Sequence, residues 1–309
     1  MRAAVIGGAG RMGIWFARHL MSIGYEVTVS DIDARCAEQA AKLLGASWEQ
    51  NNIKAARGAE LVIVSVPVRA IGGVIREVAP KMVAGQILLE ISSFKVPHFR
   101  YLQESSQTGV VPVSVHPMFG PSALGLEGLT VAVVPVVDPE KEMKLAGKLF
   151  EGVDLVQISS TEHDEAMANI LSLTYMMNLA FAATVKKGGL ETIRRLAGTS
   201  FMVQLGLSSS IVGEDVGLIE TLLHANPYAE RVYSIFTECF SQLKGMDKEK
   251  IGEYIDDLRA FNGIRDDYVA VNRWRHQSYE GYKKIMGPTS LPEGKSRVSS
   301  RSEHSSPVC

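Results

Sequence analysis

The run Ala3-Ala4-Val5-Ile6-Gly7-Gly8-Ala9-Gly10-Arg11-Met12-Gly13 constrains this chain more than any other segment. A short apolar strand leads straight into GxGxxG at Gly8, Gly10 and Gly13, and helical sequence follows from Arg11 to about Ile23. In that setting Gly8 permits the tight turn, Gly10 lets the backbone approach a pyrophosphate, and Gly13 lets the helix pack closely on the strand. The unpaired amides at the start of the helix then face the anion. Gly8, Gly10, Arg11, Met12 and Gly13 are therefore assigned to a dinucleotide cofactor. Asp31 closes the second apolar run, 18 residues after Gly13. Its carboxylate suits the adenosine ribose hydroxyls and repels a 2′-phosphate, which favours NAD; Arg35 nearby keeps NADP open as the less favoured cofactor. FAD fits the fingerprint too, but the chain lacks the extra length of typical flavoenzymes.

Up to about residue 158, short apolar runs alternate with helix-length segments: Ala3–Ile6, Glu26–Ser30, Leu61–Ser65, Ile87–Ile91, Val110–Val115, Leu129–Val134 and Leu155–Ile158. Nearly all-apolar strands of this kind belong to a mainly parallel sheet covered on both faces. The closer spacing of the later runs suggests an antiparallel extension at one edge. After Ser159 strand signals give way to Met-, Leu- and Ala-rich helices. The expected fold is thus α/β, an N-terminal Rossmann-type doubly wound sheet over 1–159 followed by an all-α dimerisation and substrate domain over 160–286. From Gly287 the sequence turns Gly-, Pro- and Ser-rich, and 287–309 is read as a disordered tail.

A helix starting at Ser160-Thr161-Glu162 and running to about Lys187 is apolar over most of its circumference, with Met167, Ile170, Leu171, Leu173, Met176, Met177, Leu179 and Phe181. Burying such a helix in a domain this small calls for a second copy, so a homodimer through the helical domain is expected; a protomer wrapping its own helices around it is the alternative. The net charge of -2 gives no argument for nucleic acid or an anionic membrane surface. Uninterrupted apolar runs of membrane-spanning length are absent, the start of the chain does not read as a signal peptide, and Cys36, Cys239 and Cys309 have no metal-site spacing. A cytoplasmic protein acting on a small molecule, with no metal, is the expectation.

Three strand ends carry the candidate chemistry. Val66-Pro67 follows the third run and is placed beside the nicotinamide ribose, with Ser92 also assigned to the cofactor. Ser93 ends the strand Leu89–Ile91, and His116 ends Ser114-Val115 just before a rigid Pro/Gly loop. A histidine there can take the proton of an alcohol as hydride leaves, and a serine can orient the same hydroxyl. His163 reads as a capping or surface residue, and His98 has no comparable setting.

His116-Pro117-Met118-Phe119-Gly120-Pro121 resembles the HPMFGP signature of the prephenate dehydrogenase family. The Gly-Gly-x-Gly-x-Met-Gly opening is matched by residues 7–13, Ser-x-Lys by Ser93-Phe94-Lys95, Glu-His-Asp by Glu162-His163-Asp164, and Asn-Pro by Asn226-Pro227. The likeness covers about residues 1–245. It implies NAD(P)-dependent oxidative decarboxylation of prephenate to 4-hydroxyphenylpyruvate in tyrosine biosynthesis. His116 would then be the base for the C4 hydroxyl and Ser93 its orienting partner, with Gly120 and Tyr175 also at the substrate. Two departures concern the substrate: Tyr175 stands where the family has a histidine, and Thr221 matches a carboxylate-binding arginine. Arg194, Arg195 or Arg231 would be substitutes. Two other readings stay open: a dehydrogenase of arogenate or another small hydroxy acid, and a non-catalytic NAD-binding relative.

Overall fold

The computed structural model describes residues 1–261 and 268–286; the segment read as a tail lies outside the described residues. The chain folds as two compact units, Met1–Ala168 with His224–Pro227, and Asn169–Leu223 with the described residues from Tyr228 onward.

The first unit is an eight-stranded sheet with helices between the strands. In chain order its elements are β1 (Arg2–Ile6), α1 (Arg11–Ser22), β2 (Glu26–Ser30), α2 (Ala34–Leu44), β3 (Ser47–Trp48), α3 (Asn52–Ala56), β4 (Leu61–Val64), α4 (Val68–Val78), β5 (Ile87–Glu90), α5 (Phe99–Ser105), β6 (Val111–Pro117), β7 (Thr130–Val133), α6 (Pro139–Leu149), β8 (Asp154–Gln157) and α7 (Ser160–Met167). Strand order is β3-β2-β1-β4-β5-β6-β7-β8. β1 to β6 are mutually parallel, whereas β7 runs antiparallel to β6 and β8 pairs parallel with β7. The doubly wound sheet and its antiparallel edge are as the spacing of the apolar runs predicts. The two-residue β3 was not legible, because its Ser47-Trp48 carries no apolar run.

The order of strands reverses between β1 and β4, and this switch point is where open α/β sheets bind ligands. Two apolar layers sandwich the sheet. Phe16, Leu20, Ala37, Ala41 and Phe150 cover one face, and Ile71, Ile75, Val78 and Leu102 the other, all at most 1% exposed. Strands buried on both sides explain why the runs are continuous rather than alternating.

In the second unit a π-helical segment, Ala168–Leu173, joins α7 to α8 (Thr174–Lys187), followed by α9 (Leu190–Leu196), α10 (Thr199–Val212), α11 (Val216–His224), α12 (Ala229–Gly245), α13 (Lys248–Ala260) and α14 (Tyr268–Met286). α8 and α10 are joined by a buried polar contact: Asn178 Oδ1 accepts from Gln204 Nε2 at 2.7 Å and from Ser208 Oγ at 2.8 Å. The continuous helix Ser160–Lys187 has a window of mean hydropathy 1.3, enough by length and composition to cross a membrane. A search for uninterrupted apolar runs misses it, because Asn169, Ser172 and Asn178 interrupt the pattern. Its first turns carry His163 and Asp164, both buried and bonded within the sheet unit, which holds that end in the folded protein.

Candidate active site

The glycine turn after β1 is built by close backbone approach. Gly7 has φ +75°, and a Cβ there would run into the Ser65 carbonyl oxygen next to the end of β4. The left-handed residue of the turn is therefore Gly7 rather than Gly8, whose Cβ would instead meet the Val5 oxygen at 2.6 Å. At Gly13 a Cβ would strike the Gly7 oxygen and the Gly8 Cα, so only glycine lets α1 begin this close to the turn. Gly10 is exposed, has the Gly7 oxygen at 3.3 Å as its tightest neighbour, and caps α1 with no side chain. Exposed Arg11 and half-buried Met12 continue the first turn of the helix. This is a cradle open on the side where a pyrophosphate would sit.

Asp31 lies beside that cradle. Its Oδ2 accepts from the Ala9 amide at 3.2 Å and its Oδ1 from the Asp33 amide at 3.3 Å, which points the carboxylate across the turn. Val66 is half-buried and exposed Pro67 caps α4. A turn that a Cβ would fill, with a carboxylate beside it, has the chemistry to hold a dinucleotide.

Beneath the sheet edge lies a charged cluster with almost no solvent access. Glu90, at the end of β5, is 0% exposed, as is Lys95. Lys95 Nζ donates to Glu90 Oε1 and to the Val115 carbonyl, both at 2.6 Å. Glu90 also accepts from Ser114 Oγ, from the Ser92 amide at 2.9 Å and from Ser92 Oγ at 2.7 Å, and His98 Nε2 lies 3.2 Å away. Burial alone would raise the Glu90 carboxyl, but the attraction of Lys95 and His98 and their hydrogen bonds hold it well below the usual range. Burial pulls Lys95 down against the attraction of Glu90. With Nζ held by two short acceptor contacts, we take the pair as ionised.

This cluster fixes the loop after β5. Ser92, expected at the cofactor, has its hydroxyl turned inward onto Glu90 and the Phe94 carbonyl. Ser93 is half-buried, and its hydroxyl has no hydrogen-bond partner among the described residues. β5 and β6 pair with Glu90 opposite Ser114, so the segment bearing Ser93 and the end of β6 bearing His116 share one sheet edge. His116 is 6% exposed and lies within β6 rather than just beyond it. The loop after it is tied to α1: Phe119 packs on Trp15 at 5.0 Å between ring centroids, and Trp15 Nε1 donates to the Ala123 carbonyl at 3.0 Å. Gly120 is exposed within that loop.

His116 Nδ1 lies 3.0 Å from His163 Nε2, and His163 Nδ1 lies 2.7 Å from Asp164 Oδ1. His163 is 1% exposed, so the expectation of a surface or capping residue is corrected; the cap of α7 is Ser159, in a capping box with Glu162. His98 is likewise buried in the Glu90 cluster rather than unremarkable. Asn226 Nδ2 donates to the Asp164 carbonyl at 2.7 Å, which gives the Asn-Pro pair a role in holding α7. Burial first, then the Lys95 ammonium and His163, pushes His116 well below the ordinary imidazole value, so it is a neutral acceptor at neutral pH. Tyr175 belongs to the helical unit and Thr221 is buried there.

Residues 16–138 match the family described as prephenate dehydrogenase, nucleotide-binding domain. Over that stretch, which lies within the first unit, the chain is similar to the nucleotide-binding domain of that family. A relative named "Probable arogenate/prephenate dehydrogenase", from Methanocaldococcus jannaschii, is 29% identical over 254 residues, covering 80% of this chain and 57% of that protein. A 4-amino-4-deoxyprephenate dehydrogenase from Streptomyces pristinaespiralis is 27% identical over 74% of this chain and 78% of its own length. The chain thus spans a little over half of the archaeal relative. Among solved structures, prephenate dehydrogenase from Aquifex aeolicus in complex with hydroxyphenyl propionate and NAD+ shares the fold, with TM-score 0.68 at 19% identity over 84% of this chain and 96% of that one.

Proposed function

We propose that this chain belongs to the prephenate dehydrogenase family and is an NAD-dependent dehydrogenase that converts prephenate to 4-hydroxyphenylpyruvate by oxidative decarboxylation. The observation that carries the reading is a neutral, buried His116 at the same sheet edge as the unengaged Ser93 hydroxyl, in a domain whose glycine cradle fits a dinucleotide. Bound NAD would accept the hydride from the substrate's C4. Held with its ring nitrogen toward the C4 hydroxyl, His116 takes up that proton, and Ser93 orients the same hydroxyl. Loss of the ring carboxylate then follows from aromatisation and asks no further group of the protein. The relatives' names leave the group at C4 and the side chain open, since one names arogenate as well as prephenate and another the 4-amino analogue. Parallel assays of prephenate, arogenate and 4-amino-4-deoxyprephenate with NAD test the assignment. Prephenate is expected to give the highest kcat/KM, and a clear preference for either of the others would replace it.

The carboxylate of Asp31 supports NAD over NADP. Asp31→Ser is expected to shift the NAD-to-NADP preference by at least tenfold toward NADP, or about 1.4 kcal/mol, read from the two KM values. An unchanged ratio would remove Asp31 from cofactor choice.

The helical unit supports a homodimer. Ile170 (50% exposed), Leu207 (48%) and Ile235 (50%) leave apolar side chains open on its helices, and only 22% of the most apolar window of Ser160–Lys187 is buried within the chain. Surface of this kind favours association. Sedimentation equilibrium at micromolar concentration is expected to give a dimer, and a monomer there would contradict this.

A further inference from the structure

We propose that His163 and Asp164 form a relay that sets the tautomer of His116, baring its Nε2 for the substrate and keeping the abstracted proton within reach of the product oxygen. The proposal rests on the reaction assigned above but is built from this chain's own hydrogen bonds. Asp164 is 0% exposed, and both its oxygens already accept backbone protons: Oδ1 from the Lys95 amide at 2.8 Å, and Oδ2 from the Val96 amide at 2.8 Å. Those donors hold it as a carboxylate, an acceptor only, so His163 Nδ1 at 2.7 Å must carry a hydrogen and donate it. In a neutral imidazole the other nitrogen is then a lone-pair acceptor. That nitrogen, His163 Nε2, faces His116 Nδ1 at 3.0 Å, so His116 donates there and its own Nε2 is left unprotonated. A chain of two hydrogen bonds anchored on a buried carboxylate thus decides which face of His116 is basic.

The charged and titratable groups around His116 are Lys95 and Glu90 from the loop and strand beside it, and His163 with Asp164 from α7. The Lys95 ammonium opposes a positive charge on His116; Glu90 and the carboxylate behind His163 favour it. The overall reaction uses prephenate and NAD+ and yields 4-hydroxyphenylpyruvate, CO2 and NADH with no proton left over. The proton taken from the C4 hydroxyl is therefore the one that the product phenol oxygen needs back. A relay that shares the charge between two imidazoles while holding their geometry suits a base that must return its proton.

The direct readout needs neither substrate nor cofactor. Long-range 1H–15N correlation spectra of histidine-labelled protein at neutral pH are expected to show His116 and His163 each protonated on Nδ1 and bare on Nε2, the signals being assigned by their loss in His116→Asn and His163→Gln. A proton on Nε2 of His116 in the wild-type protein overturns the relay, whatever the substrate proves to be. Kinetics supply the second arm. His163→Gln keeps an amide oxygen that can accept from His116 Nδ1, whereas His163→Leu has no acceptor. The leucine variant is expected to lose at least tenfold in kcat with KM for NAD unchanged, and the glutamine variant to recover a clear part of that loss. Equal kcat in the two variants contradicts the relay. If the leucine variant does not fold, the wild-type spectra still decide.

Discussion

His116→Asn is expected to lower kcat by about two to four orders of magnitude, the usual contribution of a positioned general base, while NAD affinity measured by titration stays at the wild-type value. The asparagine can still meet a hydroxyl but cannot hold a proton, so binding and proton uptake separate. The glycine turn around Gly7–Gly13 and His116 at the end of β6 sit on different strands, which is why the proposed role of one should survive the loss of the other. The pH profile gives an independent handle. A base held well below the ordinary imidazole value of 6.5 stays unprotonated into mildly acid solution, so the acid limb of kcat/KM is expected below that value and absent in the variant. An acid limb at or above 6.5 would place the base elsewhere. The same shift has a stability side. The folded pKa lies below the unfolded one, so as pH falls through the ordinary imidazole range the unfolded chain takes a proton that the folded site refuses, and stability declines there.

The largest structural effect is expected from Lys95→Met. It leaves the fully buried Glu90 carboxylate without its cationic partner, and breaking a buried pair from one side costs about 3–5 kcal/mol. Ser92, Ser114 and His98 still surround Glu90, which places the loss toward the lower end of that range. Chemical denaturation of both proteins reads it directly. The sign with pH is fixed by the carboxylate. In the wild type the Glu90 pKa is depressed, so its contribution is present above the unfolded value near 4.5 and fades as pH falls through the folded value. The deficit of the variant should therefore be largest near neutral pH and shrink in acid. A second substitution, Glu90→Gln, should recover part of it by removing the stranded charge. A variant as stable as the wild type at neutral pH would show that the cluster does not hold the loop bearing Ser93.

Much of this arrangement was legible in the chain itself. The glycine turn, Asp31 and the two strand ends bearing Ser93 and His116 could be read because each is local: a run of apolar residues stops, and the residue that follows must lie at the sheet edge. The doubly wound class of the sheet followed from the same runs, though not its strand order. What escaped was whatever depends on distant segments meeting. His163 sits 47 residues after His116, and nothing in its own neighbourhood says that α7 turns that face inward. The signal was present only as the Glu-His-Asp match, where Glu162 completes the capping box of Ser159 and the next two residues turn inward toward His116. Lys95 and His98 were hidden for a similar reason. A lysine and a histidine in a loop read as surface charge, and only a glutamate at the buried end of β5 makes them interior. Glu90 itself lies inside the apolar run Ile87–Ile91, an unusual place for an unpaired carboxylate, and that is a signal for a cation nearby. Partners for the carboxylates of the proposed substrate were not legible at all, because Tyr175 and Thr221 stand where the resemblance expects a histidine and an arginine.

The central claim joins a cofactor cradle to a base at the substrate's C4 hydroxyl, and one measurement tests the whole of it. Purified protein is mixed with prephenate and NAD, and NADH absorbance and released CO2 are followed together. The expected result is that both rise in equal amounts, with 4-hydroxyphenylpyruvate as the organic product. Tight NAD binding with neither NADH nor CO2 formed would contradict it.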